Sequence, residues 1–301
     1  MQRFFALLSP LFLAPTLAQG ATPLVDPQWV AAHGCDDDVA VVALRREAGY
    51  RANHLPCALH APYADAGWRA KRDDVPGMLP PVAELEGLIG GLGIDNDTHV
   101  VLYTPGLTAS DMGAATRVYW TFKVLGHDRV SILNGGYSAY TAAELPLSQA
   151  ASTPQPTTFK GVVQDDLLVD RHQVAAALEG GKAVLVDHRP QDQFVGINRH
   201  TASARSGTLP GARSVPERWR TVHGGGEFRD PDTLRQLFQL AEVPLEGEKI
   251  NFCNTGHWAS LGWFVSHELL GNKDAKLYDG SMVEWSLFDT LPMDQQVRLT
   301  P

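Results

Sequence analysis

The sequence predicts an α/β protein with two tandem domains, each a parallel sheet with helices on both faces. Short apolar runs rich in β-branched residues alternate with helical stretches, and this alternation is typical of parallel strands covered by helices. Five sequence patterns recur in the same order after a lag of about 145 residues, which indicates a duplication. A chain of 301 residues with 44% hydrophobic content is also long enough to form two domains.

The elements of the two halves correspond in order. Each half opens with a short strand and a helix, over residues 24–32 and 168–176. The later pairs are 39–45 with 183–189, 54–58 with 208–212, 101–106 with 251–256, and 125–140 with 270–285. Further helices are predicted over 114–125, 232–240 and 259–270. We therefore predict a first domain over residues 21–148, a linker over 149–156 and a second domain over 157–301.

Residues 1–20 differ from the rest of the chain. Arg3 precedes an apolar stretch, and Ala18 to Gly20 offers small residues at a cleavage point, which is the pattern of a secretory signal peptide. The alternative is a membrane anchor, but the apolar stretch is short and is interrupted by prolines. No later stretch is long and apolar enough to cross a bilayer. We expect an exported protein that is periplasmic in a Gram-negative source, without a membrane partner after cleavage.

Charge and cysteine content narrow the classes of partner. The net charge of −9 argues against nucleic acid. Three cysteines, Cys35, Cys57 and Cys253, leave at least one thiol outside an intramolecular disulfide. A bridge between Cys35 and Cys57 stays open, because the sequence does not give their separation. His54, Cys57 and His60 lack the spacing of a usual metal site, so no metal is expected.

The stretch around Cys253 has the pattern of a reactive cysteine. An apolar run over residues 250–252 ends at Cys253, and a loop containing Gly256 then leads into a predicted helix. Backbone N–H groups of such a loop, together with the start of the helix, favour a thiolate. The alternative is a small buried cysteine that only fills the core. Because ligands of parallel sheets bind at the carboxyl ends of the strands, Cys253 stands where a site is expected.

Several motifs together identify a family. They are Asp187-His-Arg-Pro190, Phe194-Val-Gly196, residues 204–212, Cys253-x-x-Gly256, and Leu277-Tyr-Asp-Gly280 followed by Trp285. In order and spacing they resemble the two-domain rhodanese family of sulfurtransferases. The resemblance implies two rhodanese-like domains, of which the second is catalytic and the first, with Tyr103 in place of Cys253, is inactive.

The resemblance also implies a reaction. Cys253 would take sulfane sulfur from thiosulfate or 3-mercaptopyruvate as a persulfide and pass it to cyanide or a thiol, without a cofactor. The neutral Asn254 and Thr255 differ from the basic residues that often follow the cysteine in thiosulfate enzymes. His257 and Trp258 are bulkier than the residues that follow the cysteine in enzymes that prefer thiosulfate and in those that prefer 3-mercaptopyruvate. Both donors therefore stay open.

Substrate-binding roles follow from the same motifs. Arg189 is the first choice for the anion-binding residue, and a surface ion pair with Asp187 or Asp192 is the alternative. His257 would carry partial positive charge near the sulfur or point to solvent, and Arg205 is a weaker candidate for the mouth of the site. The predicted substrate loop comprises Asn254, Thr255, Gly256, His257, Trp258, Ala259 and Ser260. Within it, Trp258 would form a wall or an interface, and Ser260 would bond the persulfide or only sit in the first helical turn.

Three other functions are compared with sulfur transfer by the enzyme. A cysteine phosphatase needs an arginine at the end of the loop, and none follows Gly256 before the next helix ends. A persulfide carrier that passes sulfur to a partner protein, without turning over small donors, is the main alternative. An exported structural protein with a buried Cys253 is the third.

Overall fold

The computed structural model describes residues 21–297, so the predicted signal peptide, residues 1–20, lies outside the described residues. Twelve strands are found in this part of the chain. They are Leu24–Val25 (β1), Val39–Ala43 (β2), Leu59–His60 (β3), Ala70–Arg72 (β4), Val75–Met78 (β5), His99–Tyr103 (β6), Val130–Leu133 (β7), Leu168–Val169 (β8), Val184–Asp187 (β9), Arg213–Ser214 (β10), Lys249–Phe252 (β11) and Ala275–Tyr278 (β12).

Ten α-helices accompany these strands in residues 21–297. They are Pro27–His33 (α1), Glu47–Ala52 (α2), Val82–Gly91 (α3), Ala109–Val124 (α4), Gly136–Ala142 (α5), Arg171–Gly180 (α6), Gln191–Phe194 (α7), Pro231–Leu240 (α8), His257–Phe264 (α9) and Ser281–Ser286 (α10). Short 3-10 turns lie at Asp165–Leu167, Glu217–Arg220 and Val222–Gly224.

Two helices near the site differ in extent from the sequence prediction. Helix α4 begins at Ala109, before the predicted residue 114, because Thr108 and Asp111 form a capping box that satisfies the first N–H groups. Helix α9 begins at His257, directly after Gly256, and its continuation at Val265–Leu269 is a π-helical turn. Both differences bring the helix starts to the edges of the sheets where the strands end.

The two sheets share one topology. Each has five parallel strands, in the orders β1-β7-β6-β2-β3 and β8-β12-β11-β9-β10. Corresponding strands come from corresponding parts of the two repeats, which confirms the predicted pair of parallel-sheet domains. The first domain has in addition an antiparallel hairpin, β4–β5, between β3 and α3. Residues 149–156, the predicted linker, contain no helix or strand.

A shared apolar core joins the domains. One cluster lies within the first domain and another within the second, whereas the largest cluster takes residues from both. Helices α4 and α9 pack against each other across the interface, where the ring of Tyr119 meets that of Phe264 edge-on at 4.9 Å between centroids. The hydroxyls of Thr116 and Ser260 lie 2.9 Å apart in the same interface. The interface is therefore a packed core and holds the domains in a fixed relation.

A disulfide joins Cys35, after α1, to Cys57, before β3, with 5.4 Å between the Cα atoms. Cys57 is thus not available as a metal ligand. The rings of His54 and His60 bond to backbone carbonyls of Tyr50 and Arg45. No group of metal-ligating side chains is found among residues 21–297. In the same range no helix has the length and apolar character to span a bilayer.

Candidate active site

Cys253 directly follows β11, the central strand of the second sheet, and is the free cysteine of the described chain. Its side chain is buried, with 1% of its surface exposed. The start of α10 holds the loop in place, since the hydroxyl oxygen of Ser281 accepts the N–H groups of Cys253 at 3.1 Å and Gly256 at 3.2 Å. Ser281 has a φ of +49°, a strained conformation for a side-chain-bearing residue. The strain places its hydroxyl under the loop.

The loop offers N–H groups to an anion. The N–H of Gly256 donates to Ser281 and is therefore not available to an anion. Within residues 21–297, the N–H groups of Asn254, Thr255 and residues 257–259 have no hydrogen-bond acceptor. These free donors and the positive end of α9 favour a negatively charged sulfur at Cys253.

Glycine is required at position 256. Its φ is +72°, and an added Cβ would lie 2.2 Å from Nη1 of Arg117 and 3.0 Å from the carbonyl oxygen of Asp279. Arg117 comes from α4 of the first domain and is fully buried. Its Nη2 lies 2.5 Å from Oδ1 of Asp279, whose Oδ2 accepts the N–H of Leu79 at 2.6 Å. A buried interdomain ion pair thus lies directly behind the cysteine loop.

A cavity of about 320 Å³ opens on Cys253. Its lining comprises Tyr63, Arg69, His200, Cys253, Asn254, Thr255, His257 and Trp258. The structure therefore brings five of the predicted residues together around the sulfur and adds three that the sequence did not indicate. Tyr63 and Arg69 belong to the first domain, so the supposedly inactive half forms one wall of the site.

His257 bridges the two domains. Its Nε2 lies 3.0 Å from the carbonyl oxygen of Ser110 and must donate to it, so Nδ1 accepts from the hydroxyl of Tyr63 at 2.9 Å. Burial, with smaller contributions from the charges of Arg69 and Arg117, lowers the pKa of His257 to about 3. The ring is neutral at pH 7 and faces the other domain. His257 therefore neither carries a positive charge near the sulfur nor points to solvent, which were the two predicted alternatives.

The next residues of the loop serve the interface. Trp258 lines the cavity, and its Nε1 donates to Oγ of Ser110 at 3.3 Å, as expected for a wall or interface residue. Ala259 is buried in the first turn of α9. Ser260 is also buried, and its hydroxyl donates to the carbonyl oxygen of His257 at 2.7 Å. Of the two predicted roles of Ser260, the structure shows the position in the first helical turn.

The structure does not bring Arg189 to the cavity. Its guanidinium folds back onto Asp187, with 2.6 Å between Nη2 and Oδ2, and also donates to the carbonyl oxygen of Gly207 at 2.8 Å. Only 1% of its surface is exposed. Its partner is Asp187, one of the two carboxylates of the alternative prediction, but the pair is buried and does not lie at the surface. A spacing of two residues lets the side chain return to the carboxylate. Arg205 likewise donates to backbone carbonyls, including that of Phe288 at 2.7 Å, and not to the mouth.

Sequence reasoning missed the residues that the fold brings from elsewhere. Tyr63, Arg69, Ser110 and Arg117 reach the site only through the packing of the first domain on the second. No local motif marks them. Gln193 was also missed, although its Oε1 accepts from Nδ2 of Asn254 at 2.9 Å and so orients the loop. The signal that could have found Gln193 is its place within the motif that runs from Asp187 to Gly196.

Comparison with known proteins identifies the family. The model of the rhodanese-like domain matches residues 26–143 and 170–287. Thiosulfate sulfurtransferase of Bos taurus is 33% identical over 240 residues, 78% of each chain. 3-Mercaptopyruvate sulfurtransferase of Homo sapiens is 33% identical over 214 residues, 69% of each chain. The crystal structure of SseA from Escherichia coli, a 3-mercaptopyruvate sulfotransferase, superposes with a TM-score of 0.75 at 25% identity, covering 87% of this chain and 99% of SseA.

The duplicated sheet, the cysteine loop at the end of the central strand of the second sheet, and these matches agree with one another. The chain belongs to the rhodanese family and is a sulfurtransferase with two rhodanese-like domains.

Proposed function

We propose that the protein transfers sulfane sulfur from thiosulfate or 3-mercaptopyruvate to cyanide or a thiol, through a persulfide on Cys253. One observation carries the proposal: the free cysteine lies at a cavity of about 320 Å³, in a loop whose N–H groups and helix start favour an anionic sulfur. The names of the two curated relatives support the same pair of donors.

The chemistry is a double displacement. The Cys253 thiolate attacks the outer sulfur of the donor and forms an S–S bond. The bond from that sulfur to the rest of the donor breaks, and the electron pair leaves with sulfite or with the enolate of pyruvate, which then takes a proton. The acceptor next attacks the terminal sulfur of the persulfide. Thiocyanate or a new persulfide leaves, and the thiolate returns.

The residues of the site support each stage. The unpaired N–H groups of Asn254 and Thr255, and those of residues 257–259, would stabilise first the thiolate and then the persulfide anion. Trp258 and the neutral pair of Tyr63 and His257 line the cavity, and only 1% of the surface of Cys253 is exposed. Burial protects a reactive sulfur from further oxidation.

We also propose that the protein acts after export, in the periplasm of a Gram-negative source. The signal-peptide pattern of residues 1–20 supports this place. The disulfide between Cys35 and Cys57 supports it independently, because such bonds persist mainly in oxidising compartments.

The test is a steady-state assay of each donor with cyanide and with a thiol, on residues 21–301 and on the Cys253→Ser variant. Turnover with one donor that vanishes in the variant is the expected result. A folded protein that becomes persulfidated without turning over either donor would replace the proposal with the carrier alternative. If Cys253 reacts with neither a donor nor an alkylating agent, the alternative of a structural protein with a buried cysteine would replace the proposal.

A further inference from the structure

We propose that Arg69, contributed by the first domain, binds the anionic group of the sulfur donor and makes the cavity selective for negatively charged donors. The inference rests on the proposed function and names the recognition residue of that same site. The shared chemistry is the carboxylate of 3-mercaptopyruvate or the sulfonate end of thiosulfate.

Arg69 is held where such a group would lie beside the sulfur. It directly precedes β4, in the hairpin that the second domain lacks. Its Nη2 donates to Oγ1 of Thr255 at 3.1 Å, and Thr255 is two residues from Cys253. Its Nε donates to the carbonyl oxygen of Gly77 at 3.3 Å. The half-buried guanidinium is thus fixed at the wall of the cavity and is not spread into solvent.

The hairpin is shaped around this side chain. Gly77 has a φ of +84°, and its α-carbon lies so close to Arg69 that an added Cβ would overlap Nη2. The centre of the guanidinium also lies 5.5 Å from the centre of the Tyr63 ring, within the range of a cation–π contact. These contacts restrict the rotamers of Arg69, so little conformational entropy is left to lose when an anion binds.

The charge of Arg69 is not compensated. In residues 21–297 no carboxylate lies within ion-pair distance of it, and no acidic residue lines the cavity. Arg117 and Arg189, by contrast, are paired with Asp279 and Asp187. Two of the five N–H groups of Arg69 donate to Gly77 and Thr255, which leaves donors for a ligand oxygen.

No other group of the cavity supplies a cation at neutral pH. Burial lowers the pKa of His257 to about 3, and burial also lowers the pKa of His200. Asn254, Thr255 and Trp258 are neutral. Arg69 is therefore the single permanent positive charge on the described lining, next to a sulfur that must react with an anionic donor.

The test uses the reactivity of Cys253 itself. Iodoacetate and iodoacetamide both alkylate a thiolate with loss of iodide, and they differ by one negative charge. The ratio of their rate constants, iodoacetate over iodoacetamide, is measured at low ionic strength for the wild type, Arg69→Gln, Arg69→Lys and Arg72→Gln. Arg72 is the matched control, because it is exposed, lies three residues away in β4 and loses the same charge.

We expect the ratio to fall about tenfold in Arg69→Gln, as the loss of one positive charge from the lining of the cavity that holds Cys253 predicts. Arg69→Lys should keep most of the ratio, and Arg72→Gln should keep all of it. An unchanged ratio in Arg69→Gln, or an equal fall in Arg72→Gln, overturns the inference. Should Arg69→Gln fail to fold, Arg69→Lys and the salt dependence of the wild-type ratio decide, and a ratio that salt leaves unchanged overturns the inference.

Alkylation needs no turnover, so the two proposals can fail separately. If the ratio depends on Arg69 in a protein that transfers no sulfur, the proposed function is wrong while the inference about Arg69 stands. With active enzyme, the KM of the preferred donor should rise about tenfold in Arg69→Gln while kcat changes less, because the contact is made in the bound ground state. A KM that stays unchanged would count against Arg69.

Discussion

Replacement of Gly256 by alanine tests the arrangement behind the cysteine loop. Two separate costs are expected. An alanine at a φ of +72° costs about 1–2 kcal/mol. Its Cβ would also lie 2.2 Å from Nη1 of Arg117, a side chain with no exposed surface and an ion pair to Asp279 at 2.5 Å. Displacing one partner of such a buried pair costs about 3 kcal/mol. The sum predicts a loss of about 4–5 kcal/mol.

Gly211→Ala separates the two costs. Gly211 has nearly the same φ, +71°, and an added Cβ there meets no atom within 4 Å. It should lose only the backbone contribution of about 1–2 kcal/mol. The free energies of unfolding of the wild type and both variants are measured by urea titration, with intrinsic fluorescence as the signal.

Equal destabilisation of Gly256→Ala and Gly211→Ala would refute this reasoning. It would mean that Arg117 moves aside without cost and does not fix the loop. A second readout is the rate of Cys253 alkylation in the folded variants. Gly256→Ala should alter this rate because the loop must shift, whereas Gly211→Ala should leave it unchanged.

Three further predictions concern the surroundings of the site and the first domain. Because the pKa of His257 is about 3 in the folded protein, the unfolded chain protonates first, so stability is full above about pH 6.5 and falls towards pH 3. Urea titrations should show about 1–2 kcal/mol less loss of stability between pH 7 and pH 5 in His257→Gln than in the wild type, and an equal loss would contradict a ring that stays neutral in the folded protein. Replacing Cys35 and Cys57 by serine opens a loop with a sequence separation of 22 and should cost about 2–4 kcal/mol in urea unfolding, with Cys253 alkylation retained; an unchanged stability would show that the bridge is not needed. Asn254→Asp places a carboxylate beside Cys253 and should slow its alkylation by iodoacetamide about tenfold at pH 7, whereas an unchanged rate would mean that the loop screens the charge.

The sequence was sufficient to predict the repeat and the place of the cysteine loop at the end of a strand. Alternating strands and helices, read together with the duplicated patterns, led to two parallel sheets and to Cys253 at the carboxyl end of a strand, which the structure shows to be the central one. These features are local or periodic, so they leave a signal along the chain. Gly256, which the sequence placed in the loop between strand and helix, has a φ of +72°.

The partners of the cysteine loop left no such signal. Arg189 lies in a motif and was therefore predicted to bind the anion, but its guanidinium pairs with the carboxylate of Asp187, two residues away. Arg69 lies outside every motif, and its place depends on a hairpin in one domain packing against the loop of the other. The choice between arginines depended on which one lacks an acidic partner in three dimensions. Neither composition nor spacing contains that information.

The most direct test of the central claim is the mass of the protein after exposure to donor. Residues 21–301 are incubated with thiosulfate or 3-mercaptopyruvate, analysed intact and as peptides, and then treated with cyanide. The account predicts the addition of one sulfur atom on Cys253, its removal by cyanide with release of thiocyanate, and no addition in Cys253→Ser. A wild-type protein that gains no sulfur from either donor, or a Cys253→Ser variant that gains as much, would contradict it.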